Sequence, residues 1–228
     1  VLRVNELKTS KKDLFTKLHL QGIKISEKTG FPDALILNER QNVFKLQEFQ
    51  NGWFEVQDAS SQLVADFLSV EPGLRVVDAC AGAGGKTLHI ASKMQNKGKI
   101  IAMDLEGWKL EELKKRAKRA GASNIETKVI ESSKTIKRLA NSADRLLLDV
   151  PCSGLGVLKR NPDAKWKLQP EEIVREKEQQ AELLERFSTT LKPGGKLVYA
   201  VCSILPSEGE EQIQAFVAKH DTEWKVLG

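Results

Sequence analysis

The chain has 228 residues, of which 40% are hydrophobic, and carries a formal net charge of +5 at pH 7. This length is sufficient for one ordinary domain with its own core and a small additional unit. The three cysteines are odd in number and distant in sequence, which argues against a disulfide framework or a zinc site and predicts a reducing, cytoplasmic setting. No apolar run is long enough to span a membrane and no signal peptide is evident, although the lack of a methionine at Val1 leads us to expect further residues upstream.

Residues 1–52 predict a small α+β unit. Ser10 and Asp13 supply an N-cap for its helix, and Gly22 ends that helix. The unit is also rich in lysine, which leaves two interpretations open, an RNA-binding lobe and a structural cap with a solvated lysine face. Its predicted strands lie at residues 2–5, 34–37 and 43–46, and its lysines include Lys8, Lys11, Lys12, Lys17 and Lys24.

Residues 53–228 predict a larger α/β domain. Asp58 is placed to cap its first helix, and apolar strands then alternate with helices. This alternation is typical of a mostly parallel sheet covered by helices, in which ligands bind beyond the carboxyl ends of the strands. Ser207 and Glu210 predict a capping box for the last helix. The predicted strands end at or near residues 78, 104, 130, 150 and 201, and the longest predicted helices cover residues 108–120 and 171–191.

The stretch V-V-D-A-C-A-G-A-G-G-K-T at residues 76–87 joins a strand to a helix through a loop of small residues. A Walker A motif would need glycine at Cys80, and the dinucleotide fingerprint would need glycine at Thr87, so neither motif is present. The remaining hypothesis is a nucleoside pocket without a phosphate cradle, lined by backbone N–H groups at a helix N-terminus. Asp104, at the end of the next strand, is then placed to hold ribose hydroxyls, and Asp78 could orient the loop. The alternative is an ordinary tight turn.

Two further loops carry a cysteine directly after an apolar strand. Cys152 lies in D-V-P-C-S-G-L-G at residues 149–156, and Cys202 lies in V-C-S-I-L-P at residues 201–206. If the two strands are neighbours, the loops lie within one or two strand spacings of roughly 5 Å. A lone cysteine is usually a small buried hydrophobe, but two on the ligand side, one of them close to Asp149 at a strand end, favour a function.

These loops belong to a set of stretches that resembles the Fmu/Sun (RsmB/Nop-like) type of S-adenosylmethionine-dependent RNA cytosine-5 methyltransferase, which includes bacterial ribosomal RNA enzymes and eukaryotic nucleolar relatives. The resemblance covers nearly the whole chain. It implies a Rossmann-like class I methyltransferase domain over residues 53–228, preceded by an RNA-recognition-like lobe, and leads us to expect that the last strands of the sheet are missing. The other stretches that carry it are L-R-V-N at residues 2–5, V-Q-D-A-S-S at 56–61, R-N-P-D at 160–163 followed by Lys165-Trp166, and L-V-Y-A-V-C-S at 197–203.

The resemblance also implies the ligands. S-adenosylmethionine is the expected cofactor, with Lys86 near its carboxylate, Asp104 on its ribose, and Glu131 and Asp149 near its adenine and methionine portions. An RNA substrate is expected, ribosomal RNA before tRNA, with a monomeric enzyme and neither metal nor membrane as a partner. The implied cofactor-binding residues are Cys80, Ala81, Gly82, Ala83, Gly84, Gly85, Lys86, Asp104, Glu131 and Asp149.

The chemistry of the substrate explains the cysteines. Carbon 5 of cytosine is a poor nucleophile, so a thiolate must first add to carbon 6 and push electron density onto carbon 5. Position alone does not rank the two cysteines, whereas the resemblance implies that Cys202 is the nucleophile and that Cys152 assists release. Asp149, if it carries or shares a proton at the N3 edge of the ring, would stabilise the charge that develops there.

Three positions depart from the family pattern. The family usually has proline at Ala83, threonine at Val201 and asparagine at Gly209. Ala83 should loosen the loop slightly, and Val201 removes a hydroxyl beside the expected nucleophile. Two alternatives to a cytosine-5 methyltransferase stay open: a methyltransferase that acts on another nucleophile such as an exocyclic amine, and a catalytically silent RNA-binding module.

Overall fold

The computed structural model describes residues 1–227, which form two compact units, one of residues 1–131 and one that starts at residue 132. The first unit contains β1 (Leu2–Val4), α1 (Lys11–Leu20), β2 (Ile25–Glu27), β3 (Ala34–Leu37), α2 (Gln47–Gln50), β4 (Phe54–Val56), α3 (Ala59–Leu68), β5 (Arg75–Asp78), α4 (Gly85–Lys93), β6 (Lys99–Asp104), α5 (Gly107–Ala120) and β7 (Ile125–Val129). The second contains α6 (Ser133–Lys137), β8 (Ala143–Asp149), α7 (Ala164–Lys167), α8 (Pro170–Ser188), β9 (Leu191–Ala200) and α9 (Glu210–Lys219).

The N-terminal lobe is built on a four-stranded antiparallel sheet with the order β2-β3-β1-β4. Helix α1 contributes Leu14 and Leu18 to a core that also contains Leu2 and Phe54. Ser10 caps this helix as predicted, because its side chain accepts a hydrogen bond from the backbone of Asp13.

The lobe differs from its prediction in two places. Residues 43–46 do not form a strand: Val43–Lys45 is a turn of 3₁₀ helix, started by the Asn42 side chain, which accepts from the backbone N–H of Phe44 at 3.2 Å. Strand β4, which the sequence analysis assigned to the second domain, pairs with β1 and so belongs to the lobe's sheet. The lobe's strands therefore extend to Val56, beyond the expected boundary at residue 52.

Three parallel strands follow in the first unit, in the order β7-β6-β5. Their central residues, among them Val77 and Ile101, are completely buried, as expected for strands covered on both faces. Helix α5 packs Leu110 and Leu113 against Leu88 and leaves Lys114, Lys115 and Lys118 exposed on its outer face.

In the second unit, β8 and β9 pair in parallel, with Leu148 opposite Tyr199 and Asp149 opposite Ala200. The two cysteine loops therefore follow neighbouring strands, which meets the condition under which the loops were expected to lie close together. The alternation of parallel strands and helices confirms the predicted α/β class. No helix within residues 1–227 is long and apolar enough to cross a membrane.

The predicted capping box at Ser207 and Glu210 is wrong. Residues Pro206–Glu208 form a 3₁₀ turn, and α9 starts at Glu210 with Gly209 at its N-cap and no side-chain hydrogen bond there. A capping box does begin α8 instead, where the side chains of Gln169 and Glu172 are its two members.

Candidate active site

The glycine loop between β5 and α4 has the backbone that its sequence predicts. Gly84 is the N-cap of α4 and has a φ of 85°, a left-handed conformation that favours glycine. A Cβ at Gly84 would also lie 2.5 Å from Cγ of Leu113. At Gly82 and Gly85, in contrast, a Cβ would meet no described atom within 4 Å, so space is open beside the loop.

Two aspartates hold this loop. The backbone N–H of Gly82 donates to Oδ2 of Asp104 at 2.9 Å, and the hydroxyl of Thr87 donates to Oδ2 of Asp78 at 2.6 Å. The other oxygen of Asp104 accepts from the backbone N–H of Glu106 at 2.9 Å. Because a carboxylate has about four lone-pair positions, Asp104 keeps acceptor capacity for a ligand hydroxyl while it fixes the loop.

The remaining predicted cofactor residues of this unit lie around the loop. Cys80 and Lys86 are half-buried, at the start of the loop and in the first turn of α4. Glu131 is exposed just beyond β7, and the preceding Ile130 donates its N–H to the carbonyl of Asp104 at 2.9 Å. Two exposed apolar residues that the sequence analysis did not single out come after Asp104 in the chain: Leu105 is the next residue, and Trp108 lies in the first turn of α5.

Charged residues that the sequence analysis missed brace the outside of the loop. Nη1 of Arg116 donates to the carbonyl of Ala83 at 2.8 Å, and Nη1 of Arg3 donates to the carbonyl of Gly85. Glu55 stands opposite Arg3 on β4 and accepts from Arg116 at 2.9 Å. Burial lowers the pKa of Arg3 to about 10, although the Glu55 carboxylate acts in the opposite direction. The sequence hints at this arrangement only by placing a charged residue, Arg3 or Glu55, at the centre of a short strand of apolar residues.

In the second unit the two cysteines meet. Their Sγ atoms are 3.3 Å apart, and the backbone N–H of Cys202 lies 3.3 Å from Sγ of Cys152. The loops also touch through the backbone, because Gly156 donates its N–H to the carbonyl of Cys202 at 2.9 Å. A Cβ at Gly156 would lie 2.8 Å from that carbonyl oxygen, so only glycine permits this approach. Asp149 is half-buried at the end of β8.

The two thiols differ in environment. Cys202 is exposed and Cys152 is half-buried. The hydrogen bond with Cys202, and then burial, raise the pKa of Cys152. Cys152 therefore keeps its proton near neutral pH, and its S–H can donate to the sulfur of Cys202.

A buried glutamate that the sequence analysis did not assign connects the two cysteine loops. The carboxylate of Glu208 accepts hydrogen bonds from the hydroxyls of Ser153 and Ser203, the residues that follow the two cysteines. No group of three or more His, Cys, Asp or Glu side chains among the described residues could hold a metal ion.

Two family descriptions match this chain. Residues 65–227 match the 16S rRNA methyltransferase RsmB/F family, and residues 1–44 match the RsmF/B-like ferredoxin-like domain. A Synechocystis protein named "Probable ribosomal RNA small subunit methyltransferase B" is 40% identical over 228 residues, which are 98% of this chain and 50% of that protein. The "Ribosomal RNA small subunit methyltransferase B" of Klebsiella pneumoniae is 38% identical over 219 residues, 96% of this chain and 50% of its own length. The chain thus spans about half the length of the curated relatives it matches.

Solved structures agree with the fold. The crystal structure of PH0851 superposes with a TM-score of 0.92 at 34% identity and covers 96% of this chain and 50% of that one. The structure of NSun6 from Pyrococcus horikoshii with SFG shares the fold, with a TM-score of 0.87 at 21% identity over 96% of this chain and 79% of that one. The chain belongs to the 16S rRNA methyltransferase RsmB/F family, a family of S-adenosylmethionine-dependent methyltransferases.

Proposed function

We propose that this chain transfers a methyl group from S-adenosylmethionine to carbon 5 of a cytidine in RNA, ribosomal RNA in the first place, through a covalent cysteine–cytosine intermediate. The observation that carries the proposal is the pair of thiols 3.3 Å apart on loops after neighbouring strands. Cytosine-5 chemistry needs one sulfur at carbon 6 and a second group near carbon 5, whereas methylation of an amine needs no cysteine. The names of the relatives support ribosomal RNA as the substrate class.

The residues around the glycine loop fit the cofactor. Open space lies beside Gly82 and Gly85, Asp104 has acceptor capacity for ribose hydroxyls, and the apolar Leu105 and Trp108 are exposed next to it. We propose that the loop from Cys80 to Lys86 holds the cofactor with Asp104 and Glu131. When bound, S-adenosylmethionine supplies an activated methyl group, and the protein's part is to orient it and to make carbon 5 nucleophilic.

The protein's residues then act on the cytosine ring. The Cys202 thiolate forms a bond to carbon 6, and the electron pair of the 5,6 double bond moves toward carbon 5 and the N3 edge. A proton shared between Asp149 and the N3 edge of the ring stabilises that charge. After methylation a proton leaves carbon 5, the double bond re-forms, and the Cys202 sulfur departs with its electron pair. Cys152 is assigned that proton: after the attack it releases its own proton to solvent, and its raised pKa makes the resulting thiolate a strong base for the proton on carbon 5.

The environments of the two thiols support this division of roles. A nucleophile must reach its substrate, and Cys202 is the exposed member of the pair. Because the pKa of Cys152 is raised, its S–H is available to donate to the Cys202 sulfur during attack and departure. We place the reaction in the cytoplasm, because the proposed mechanism needs Cys152 and Cys202 reduced.

The test is methylation of ribosomal RNA from the small subunit by the purified chain, followed by bisulfite sequencing. The proposal expects at least one cytidine that becomes resistant to bisulfite only when S-adenosylmethionine is present. Methyl incorporation that leaves every cytidine sensitive, and that survives in a Cys152→Ala/Cys202→Ala double variant, would instead support an amine as the acceptor. No cofactor binding in calorimetry would favour the silent RNA-binding module.

A further inference from the structure

Glu208 is completely buried, and its carboxylate bonds to both cysteine loops. Oε1 accepts from the backbone N–H of Ser153 at 2.8 Å and from Nε2 of Gln180 at 3.2 Å. Oε2 accepts from the hydroxyls of Ser153 and Ser203. Because Ser153 follows Cys152 and Ser203 follows Cys202, one carboxylate holds the neighbour of each thiol.

The four donors match the charged form of Glu208. An ionised carboxylate is an acceptor with about four lone-pair positions, and four neutral donors point at it here. Burial alone would raise the pKa of Glu208, but the hydrogen bonds from Ser153 and Ser203 outweigh burial and lower that pKa. Burying a charge costs free energy unless hydrogen bonds satisfy all its acceptor positions. Moving any of the four donors away from Glu208 is therefore unfavourable, and the carboxylate restrains all of them.

Neighbouring groups extend the restraint to the other side of Cys152. Nε2 of Gln180, which is also completely buried, donates to the carbonyl of Pro151 at 2.8 Å. The residues before and after Cys152 are thus both tied to the same polar cluster. The backbone of Glu208 is held in turn, because the hydroxyl of Tyr199 on β9 donates to its carbonyl at 2.8 Å.

We propose that Glu208 is a positioning residue that sets the distance between the two thiols by holding the serine that follows each of them. The proposal rests on the proposed function, in which both sulfurs act on one cytosine. Glu208 needs no contact with the substrate in this role. A misplacement of about 1 Å in a reacting group can reduce a rate by about 10²-fold, so loosening either loop should slow catalysis strongly.

The first experiment measures the thiol spacing without RNA or cofactor. Phenylarsine oxide bridges two nearby thiols, and bridging protects both from alkylation by iodoacetamide, which mass spectrometry scores at Cys152 and Cys202. We expect protection in the wild type and in the control Glu211→Ala, which changes an exposed carboxylate on α9. Glu208→Ala should need at least tenfold more arsenical for the same protection. Wild-type protection in Glu208→Ala would overturn the proposal.

A conservative variant, Glu208→Gln, distinguishes the loss of these hydrogen bonds from a general loss of structure. In Glu208→Gln the amide oxygen can still accept from Ser153 and Gln180, and the amide nitrogen can donate to the two serine hydroxyls, which rotate to accept. Glu208→Gln should therefore keep most of the arsenical protection. If it loses as much as Glu208→Ala while the circular dichroism of both is native, positioning by these hydrogen bonds is wrong. If Glu208→Ala does not fold, a Ser153→Ala/Ser203→Ala variant carries the same arsenical test.

The second experiment measures single-turnover methyl transfer to RNA. Glu208→Ala should lower the rate by about 10²-fold, Glu208→Gln by clearly less, and Glu211→Ala should match the wild type. The dissociation constant for S-adenosylmethionine should stay within about twofold in all variants, since a pure positioning role affects the reaction step. An unchanged rate in Glu208→Ala would overturn the proposal. If the wild type methylates no cytosine but the arsenical results are as expected, the proposed function fails and the positioning role stands.

Discussion

Cys152 and Cys202 share a contact but differ in exposure and protonation, so their replacement should have opposite effects. Cys202→Ala should bind RNA and cofactor and show neither turnover nor adduct, because no bond to carbon 6 can form. Cys152→Ala should still form that bond and transfer the methyl group, but elimination should stall. The expected product is protein covalently attached to RNA.

Denaturing gel electrophoresis with labelled RNA would show this adduct as a shifted band. The wild type and the double alanine variant are the controls for turnover and for background. A shifted band from Cys202→Ala instead of Cys152→Ala would reverse the two roles. Retained activity in both single variants, with no band from either, would exclude the covalent mechanism.

Asp104 is the residue for which the cofactor prediction is most direct. A charge-assisted hydrogen bond is worth about 1.5 to 3 kcal/mol, so Asp104→Ala should weaken S-adenosylmethionine binding about tenfold or more. The structure adds a second reason, since Gly82 would lose the acceptor that holds its N–H. Calorimetry would measure the loss, with Glu111→Ala, an exposed change on α5, as the control. Wild-type affinity in Asp104→Ala would remove Asp104 from the site.

Single residues were predictable where a local pattern marks them. Asp104, Cys152 and Cys202 each lie at or directly after the end of an apolar strand, and strand ends are where α/β sheets bind ligands. Glu208 has no such mark, because its partner Ser153 is 55 residues away and only the folded chain joins them. The same holds for Arg116, whose bond to the glycine loop spans 33 residues.

Helices and strands could be predicted from the sequence where many consecutive residues are apolar and buried. Strands β6 and β8 contain runs of three or more consecutive buried apolar residues, which the sequence displays directly. Strand β2 has three residues of which one is buried, so it carries no recognisable period. At residues 43–46 a strand was predicted where none forms. A short, mostly apolar run is compatible with both a strand and a 3₁₀ turn, and the hydrogen bond from the Phe44 N–H to the Asn42 side chain, which favours the turn, is known only from the structure.

Strand β4 is tied to the glycine loop through Glu55, which bonds Arg116 and Arg119, and Arg116 in turn bonds Ala83. Glu55→Gln should lower the free energy of unfolding by about 2 kcal/mol, because hydrogen bonds between charged groups are lost at a buried side chain. It should also weaken cofactor binding severalfold, since Arg116 is no longer fixed against the loop.

Chemical denaturation and calorimetry would measure these two effects of Glu55→Gln. The matched control is Glu112→Gln on α5, whose carboxylate forms a long surface ion pair with Lys115 at 3.7 Å. A normal cofactor affinity in Glu55→Gln would show that the lobe does not support the loop through this residue.

The lysines around α1 test whether the lobe binds RNA. Lys11 and Lys24 already face carboxylates, Glu27 at 3.4 Å and Glu39 at 2.6 Å. Each single-stranded phosphate contact contributes about 0.7 to the log–log salt slope, so replacing three contacting lysines should lower the slope by about two. We expect this from a Lys8→Gln/Lys12→Gln/Lys17→Gln variant and a smaller change from Lys11→Gln/Lys24→Gln. An unchanged slope in the triple variant, measured by fluorescence anisotropy, would identify a solvated face.

The stability of the whole molecule should depend on pH through a buried cluster. Asp33 is 5% exposed, and its Oδ2 accepts from Nε2 of His89 at 2.8 Å and from Nζ of Lys93 at 2.7 Å. Burial alone would raise the pKa of Asp33, but these partners lower it to about 2. Burial lowers the pKa of His89 below its ordinary 6.5, so the ring is neutral and its Nε2 carries the proton donated to Asp33.

Both shifts work in the same direction on acidification. The folded chain binds these protons less readily than the unfolded chain, so stability is complete above about pH 6.5 and falls as the pH drops. His89 contributes the first loss below its ordinary pKa, and Asp33 contributes a further loss of about 2 kcal/mol between pH 4 and pH 2. Urea denaturation at a series of pH values should show both steps. Asp33→Asn should be less stable at pH 7 and should lack the step between pH 4 and pH 2, whereas a variant that kept this step would assign it to other carboxylates.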